Sequence, residues 1–380
     1  MDFICDKKEL QAGVSAVEKI VATRSTLPII GYILFEAGKN GLKISANNLE
    51  LGIELSIKAK VIKEGSILVP AKTLSGIVSK LPDTQIAFKM TERGVLKISF
   101  SQSNFQVHTL PPDEFPALAK VKEGKLISLE TNVFAEMIKQ TIFAVSTSED
   151  KYVLTGVLME FGKSQTPGDE TNFRLVATDG YRLAKIGERI KSKDEVKGKV
   201  IIPAKALQEI LRTLETSKSE EEVKINFSNE QISFKYGEIF LVSRVIQGQF
   251  PDYKQVMPKK SATKVITQTT ELLAAAERTA VIAAGSANIV RFEIKNNKLH
   301  LFASTPDVGT VDEVVEAEIK GEAKSMVAFN IRLITDVLKV METEKLILEL
   351  SENLGPGLIK EDGAKDYLYI VMPIRTQEAA

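Results

Sequence analysis

The chain repeats itself. SILVPAKTLSGIVSKL at 66–81 is answered by KVIIPAKALQEILRTL at 199–214, with Pro70 and Pro203 standing 133 positions apart. FPAL at 115–118 returns as FPDY at 250–253, and SMVAFNIRLITDVLKV at 325–340 is a fainter copy in which Leu333 answers Leu207. Ahead of each copy lies another shared piece: GLKISANNLELGIEL, FRLVATDGYRLAKI and KLHLFASTPDVGTV. Self-similarity at a fixed period means one structural unit used several times. A third of the 380 residues is about 127, so three copies fill the chain.

Every copy has the same order of elements. An amphipathic helix opens it (DKKELQAGVSAVEKIV, TNVFAEMIKQTIFAV, TTELLAAAERTAVIA), alternating strands follow, then a second helix and more strands. Leu74, Ile77, Val78 and Leu81 recur at i, i+3, i+4, i+7, as do Leu207, Ile210, Leu211 and Leu214. Pro70 and Pro203 mark where these second helices start. Two helices against roughly eight strands per copy cannot sheathe a parallel sheet, so antiparallel sheets with helices on one face are expected, an α+β fold. Three similar domains follow, over 1–120, 121–254 and 255–380. Lysine-rich linkers lie near LAKVKEGK and YKQVMPKKSATK, and both helices of every domain gather on one inward surface.

Charge and chemistry narrow the function. Fifty basic residues balance fifty acidic ones, so a nucleic-acid partner requires positive charge segregated onto one surface. The six expected helices hold 12 basic and 10 acidic residues, with same-face basic pairs at Lys72/Lys80, Lys205/Arg212 and Arg332/Lys339. The single cysteine, Cys5, lies in an apolar start and excludes an internal disulfide. MDFICDKKEL is no signal peptide and no apolar run approaches 18 residues, which predicts a cytoplasmic protein. His108 and His300 each alternate with apolar residues as strand positions and have no ligand partner at metal spacing. Neither a nucleophile elbow nor a phosphate-binding glycine loop is present.

The remaining candidate for chemistry is Asp179 in ATDGYRLA. Asp-Gly is a tight-turn pair, and Asn48 and Pro306 occupy the matching place in the other copies, which speaks for turn geometry rather than proton transfer. No enzyme and no cofactor are expected.

With ATDGYRLA, QGQFPDY, VPAK, RSTLPII and the terminal YIVMPIR in this order, the whole chain resembles the bacterial sliding-clamp family, the beta subunits of DNA polymerase III. The resemblance implies a head-to-tail homodimer of three-domain subunits with the DNA clamp fold, closed into a ring around double-stranded DNA without regard to sequence. It implies a processivity factor that tethers the polymerase III alpha subunit, the clamp loader and other replication or repair proteins through short clamp-binding peptides. A non-encircling DNA-binding scaffold is the alternative. The weak basic patch argues against ordinary duplex binding by contacts alone.

Residue roles follow from the same resemblance. The partner-peptide pocket falls on Leu154, Thr178, Gly180, Tyr181, Arg182, Leu183, Pro251, Val256, Leu354, Pro356, Ile370 and Met372. Leu183 is expected to line it, while Tyr181 and Arg182 form a polar rim. DNA contacts fall on Arg24, Lys72, Ser148, Tyr152 and Val153. The dimer interface sets Phe105 and Val107, read as exposed together on an edge strand, against Val281 and Ile282. Past MPIR the chain continues with the tail TQEAA.

Overall fold

The structure, a computed structural model, describes residues 1–22, 27–121, 124–163, 170–190, 196–216, 222–258, 261–321, 326–351, 355–363 and 366–375. Arg24, Leu354 and the TQEAA tail lie outside the described residues.

The first repeat supplies β1 (Asp2–Asp6), α1 (Lys7–Glu18), β2 (Tyr32–Gly38), β3 (Gly41–Asn47), β4 (Leu51–Ile57), β5 (Ala59–Lys63), β6 (Gly65–Pro70), α2 (Ala71–Lys80), β7 (Gln85–Met90), β8 (Val95–Phe100) and β9 (Ser103–His108). The second supplies β10 (Lys125–Glu130), α3 (Thr131–Ile142), β11 (Gly156–Phe161), β12 (Phe173–Thr178), β13 (Arg182–Glu188), β14 (Gly198–Pro203), α4 (Ala204–Thr216), β15 (Glu222–Phe227), β16 (Gln231–Tyr236) and β17 (Ile239–Arg244). The third supplies β18 (Thr263–Gln268), α5 (Thr269–Ala283), β19 (Ile289–Lys295), β20 (Lys298–Thr305), β21 (Gly309–Val315), β22 (Ala317–Gly321), β23 (Met326–Asn330), α6 (Ile331–Leu338), β24 (Lys345–Leu350), β25 (Gly357–Glu361) and β26 (Asp366–Val371).

The helices start where their signals stand. α2 begins at the residue after Pro70 and α4 directly after Pro203. The third repeat has no proline there, and Asn330 caps α6 instead, its side chain accepting from the amide of Arg332 at 3.0 Å. α6 spans Ile331–Leu338. α1 turns Leu10, Gly13, Val14 and Val17 inward. A Cβ on Gly13 would stand 2.7 Å from Ile44 Cδ1, so glycine lets α1 lie close to the sheet without moving the side chains beneath it. Burial pushes the Cys5 thiol up to about 12, which leaves it a packing residue.

All the strand pairings among the described residues are antiparallel, as expected, but the sheets ignore the repeat boundaries. The chain forms two compact units, Met1–Phe134 with Lys205–Val245 and Ala135–Ala204 with Ile246–Ala380. The first unit holds a five-stranded sheet, β5-β1-β7-β8-β9, and an eight-stranded sheet, β10-β15-β16-β17-β4-β3-β2-β6. Here β17 of the second repeat pairs with β4 of the first. The second unit holds a nine-stranded sheet, β14-β11-β12-β13-β26-β25-β24-β18-β22, in which β26 of the third repeat pairs with β13 of the second, and a four-stranded sheet, β21-β20-β19-β23. Each repeat therefore lends strands to a neighbour, which removes two pairs of raw sheet edges. Phe3, Phe35 and Phe88 centre the first unit, with Phe3 and Phe88 stacked at 4.7 Å.

Candidate functional site

The second unit carries the hairpin that joins β12 to β13. Asp179 accepts from the amides of Tyr181 at 2.8 Å and Arg182 at 3.0 Å, and Gly180 adopts φ +94°. Thr178 Oγ1 accepts from the Gly180 amide at 3.1 Å and donates to the Arg182 carbonyl at 2.6 Å. The Asp179 carboxylate is thus consumed by its own turn, as local side-chain bonding favours for Asp. The Lys151 ammonium donates to the Asp179 carbonyl at 2.8 Å and stands 5.0 Å from the Tyr181 ring centre.

Arg182 does not form an open rim. Its Nε donates to Asp179 at 3.0 Å, Nη1 to Asp336 on α6 at 2.6 Å and Nη2 to the Phe143 carbonyl at 2.6 Å, with the guanidinium over the Phe143 ring. A planar guanidinium can serve three such acceptors at once, and here it ties the hairpin to two helical segments. Tyr181 alone stands out into solvent.

The floor is made where β13 meets β26. Leu183 faces Ile370 across the ladder and Leu358 faces Ile370 on the other side. These three pack with Leu158, Val176, Ile201, Ile246, Tyr253 and Leu368, and Leu183 is only 3% exposed. Phe250 and Met257 are half-buried against the cluster, whereas Pro251 and Val256 between them stay exposed. Met372 is 41% exposed, and Leu154 and Pro356 are half-buried. The result is a sealed apolar floor with open apolar positions around it, the composition that short anchor side chains require.

Beneath the floor lies an ion cluster that sequence reading missed. Glu160 accepts from Arg174 Nε at 3.1 Å, Lys199 Nζ at 2.8 Å and the Tyr253 hydroxyl at 2.9 Å. Burial pushes the Glu160 carboxyl up, but the three donations outweigh it and hold the group at about 2. Strand alternation could have flagged it, since Glu160 and Arg174 interrupt otherwise apolar strands.

The remaining candidates are spread over both units. Lys72 and Lys80 are exposed on α2. Arg212, by contrast, is bound to Glu209 at 2.7 Å and to the carbonyls of Ser15 and Ala16, and Lys339 pairs with Glu277 at 3.3 Å. Ser148 and Tyr152 are exposed at a 3-10 turn over Glu149–Thr155. Val153 packs against the floor cluster instead. On the edge strand β9, Phe105 is 41% exposed but Val107 only 6%, so the two do not share an open face. Alternation puts both on one side of β9, yet Phe105, its ring centre 6.1 Å from that of Phe100, stays open while Val107 is covered. Val281 is 71% exposed and Ile282 half-buried on α5.

Comparison with known proteins gives the family over the whole chain. Residues 1–119 match the family described as DNA polymerase III beta subunit, N-terminal domain, 128–252 its central domain and 254–375 its C-terminal domain. The chain is 33% identical to the beta sliding clamp of Synechococcus elongatus over 380 residues, covering 99% of each, and 29% identical to that of Staphylococcus aureus, covering 99% and 100%. Among solved structures it is similar to the sliding clamp of Bacillus subtilis (TM-score 0.92, 28% identity, 99% of each chain). It is also similar to the DnaN sliding clamp of Pseudomonas aeruginosa bound to griselimycin (TM-score 0.91, 29% identity, 99% and 100%).

Proposed function

The chain belongs to the DNA polymerase III beta-subunit family, the beta sliding clamps, and on that premise we propose how two copies close and where partners dock. A sliding clamp is no enzyme. It encircles duplex DNA and tethers the replicative polymerase, conferring processivity, and the scaffold alternative falls away.

Closure rests on one observation. Each internal junction sets a six-residue strand, the last of its repeat, against a seven-residue strand: β17 on β4 and β26 on β13. Among the described residues, six-residue β9, the last strand of its repeat, and seven-residue β21 stand at open sheet edges. A second copy supplies β21 to β9 and β9 to β21, a head-to-tail contact that closes when its rotation does. Phe105 lies on β9, and the exposed Val281, with Ile282, on α5, which packs against β21.

Partner peptides dock on the floor of Leu183 and Ile370, with Leu154, Thr178, Gly180, Tyr181, Pro251, Val256, Pro356 and Met372 around it. Arg182 holds the hairpin in place, and Leu354 belongs to the same pocket by family likeness. The griselimycin-bound Pseudomonas clamp is consistent with a ligand pocket in this family. The polymerase alpha subunit and the clamp loader are the expected peptide donors, in the cytoplasm where replication proceeds. Phosphates are met by Arg24 and Lys72, with hydroxyls from Ser148 and Tyr152. Val153, turned to the core, offers its main chain.

Retention on DNA tests this reading. A protein making 6–10 phosphate contacts loses roughly 10³–10⁵ in affinity between about 50 and 200 mM salt, whereas a ring is held by topology. The loaded protein should survive a high-salt wash on a nicked circle and leave when the circle is cut. Equal salt sensitivity on circles and linear fragments refutes encirclement.

A further inference from the structure

The two internal junctions can be compared residue for residue, because strand register aligns them. Glu160 on β11 stands opposite Arg174 and Lys199, and Glu36 on β2 stands opposite Lys43 and Ser66. The FPDY segment ends in Tyr253, the FPAL segment in Leu118. Glu160 therefore receives three donors, one of them from the connecting segment. Glu36 receives Lys43 Nζ at 3.0 Å, which it shares with Glu54 at 3.3 Å, and leucine in place of tyrosine has no hydroxyl to give.

The consequences differ in the way this predicts. At the second junction the connecting segment is drawn onto the sheet, and Tyr253 is buried among Leu158, Leu183 and Ile370. At the first, Phe115, Ala117 and Leu118 instead wall a cavity of about 780 Å³ that reaches Glu36, Lys43 and Glu54. Ser45 Oγ is left buried and without a partner on its lining. Where Tyr253 meets Glu160 the segment lies on the cluster, and where leucine stands opposite Glu36 an open cavity lies beside it.

We infer that Tyr253 and Glu160 are positioning residues for partner docking: their hydrogen bond holds segment 250–257 against the floor so that Pro251 and Val256 stand at the groove. The bond joins a neutral hydroxyl to a charged, buried acceptor, the kind that is stronger than a neutral pair. Asp252 caps the short turn Tyr253–Val256 by accepting from the Lys254 amide and the Gln255 side chain, and the turn's backbone bonds, Gln255 to Asp252 and Met257 to Lys254, are also local. Apolar packing alone fixes burial but not height, so the hydroxyl selects one position among several of similar packing. This inference rests on the groove being the peptide site.

Tyr253→Phe tests it, since the ring and its packing remain. Binding of a fluorescein-labelled peptide from the polymerase's carboxyl end should weaken roughly three- to tenfold, through faster dissociation. Amide exchange across 253–257 should quicken while dimer mass stays the same. Glu160→Gln should lower affinity as well, and Tyr253→Phe added to it should cost little more, because both act through one bond. Leu118→Tyr, which offers Glu36 the missing donor, should slow exchange across 115–121. Wild-type affinity and exchange in Tyr253→Phe, or full additivity with Glu160→Gln, overturns the inference. A wild-type protein that does not bind the peptide overturns the groove reading beneath it.

Discussion

The main-chain amide of Met372 donates to the carbonyl of Tyr181 at 2.8 Å, one step beyond the ladder joining β13 to β26. The amide of Arg244 makes the same bond to Glu50, also at 2.8 Å, at the end of the β17–β4 ladder. Backbone pairing therefore delivers a side chain to the mouth of the hairpin at both junctions. What it delivers differs: Met372 above Leu183 and Ile370 at one, Arg244 above Gly52 and Val242 at the other. Methionine stands at the mouth of the second junction and arginine at that of the first, so apolar peptide anchors should dock at the second.

Met372→Ala should separate docking from folding. The backbone bond to Tyr181 does not depend on the side chain, and the side chain is largely open. Removing a central anchor costs about 2 kcal/mol, near thirtyfold in peptide affinity, with little change in unfolding temperature. Leu183→Ala should weaken binding too, but at a cost of about 2–5 kcal/mol in stability because the site is core. Fluorescence titration beside thermal unfolding checks both.

Asp179→Asn should leave docking within about twofold, because the amide oxygen still accepts from Tyr181 and Arg182. Arg182→Ala should be far more damaging. It strips the cation from Asp179 and Asp336 and leaves the Phe143 carbonyl without its donor. A loss on the order of 3 kcal/mol is expected from breaking such a largely buried network. Urea unfolding of the two variants should differ by about that amount.

Val281→Asp with Ile282→Asp should give a folded monomer by sedimentation, since both positions are accessible on α5 and an unpaired charge is costly in an apolar contact. Val107→Asp should behave differently. That side chain is nearly fully covered, so the change should unfold the five-stranded sheet rather than separate intact copies. Circular dichroism distinguishes dissociation from unfolding.

Stability should carry the signature of Glu160 in acid. Its ordinary value is 4.5 and the folded value is about 2, so the unfolded chain takes up the proton first. The contribution is complete above about pH 5 and is lost as pH falls from 4.5 toward 2. The group accounts for on the order of 3 kcal/mol. Glu160→Gln should be less stable at pH 7 and show a flatter decline below pH 4.5 in chemical unfolding.

What the sequence determined by itself is what local interactions decide. Helix starts follow Pro70 and Pro203 because the next turn's bonds are all within a few residues. The Asp179–Gly180 turn is legible because Asp bonds amides two and three positions on. The threefold repeat is legible because similar segments build similar units. Tertiary structure decided everything that depends on which edge meets which. Period-two alternation marks two faces of a strand but not what covers them, so Val107 read as open and is buried. β11 and β12 are covered on both faces, which makes Glu160 and Arg174 a buried cluster. The partners of Arg182, at Phe143 and Asp336, are 39 and 154 residues away, and Tyr253 reaches Glu160 across 93. The Asp336 contact depends on β26 pairing with β13, because strand pairing brings distant segments together through backbone bonds that any side chain can accompany.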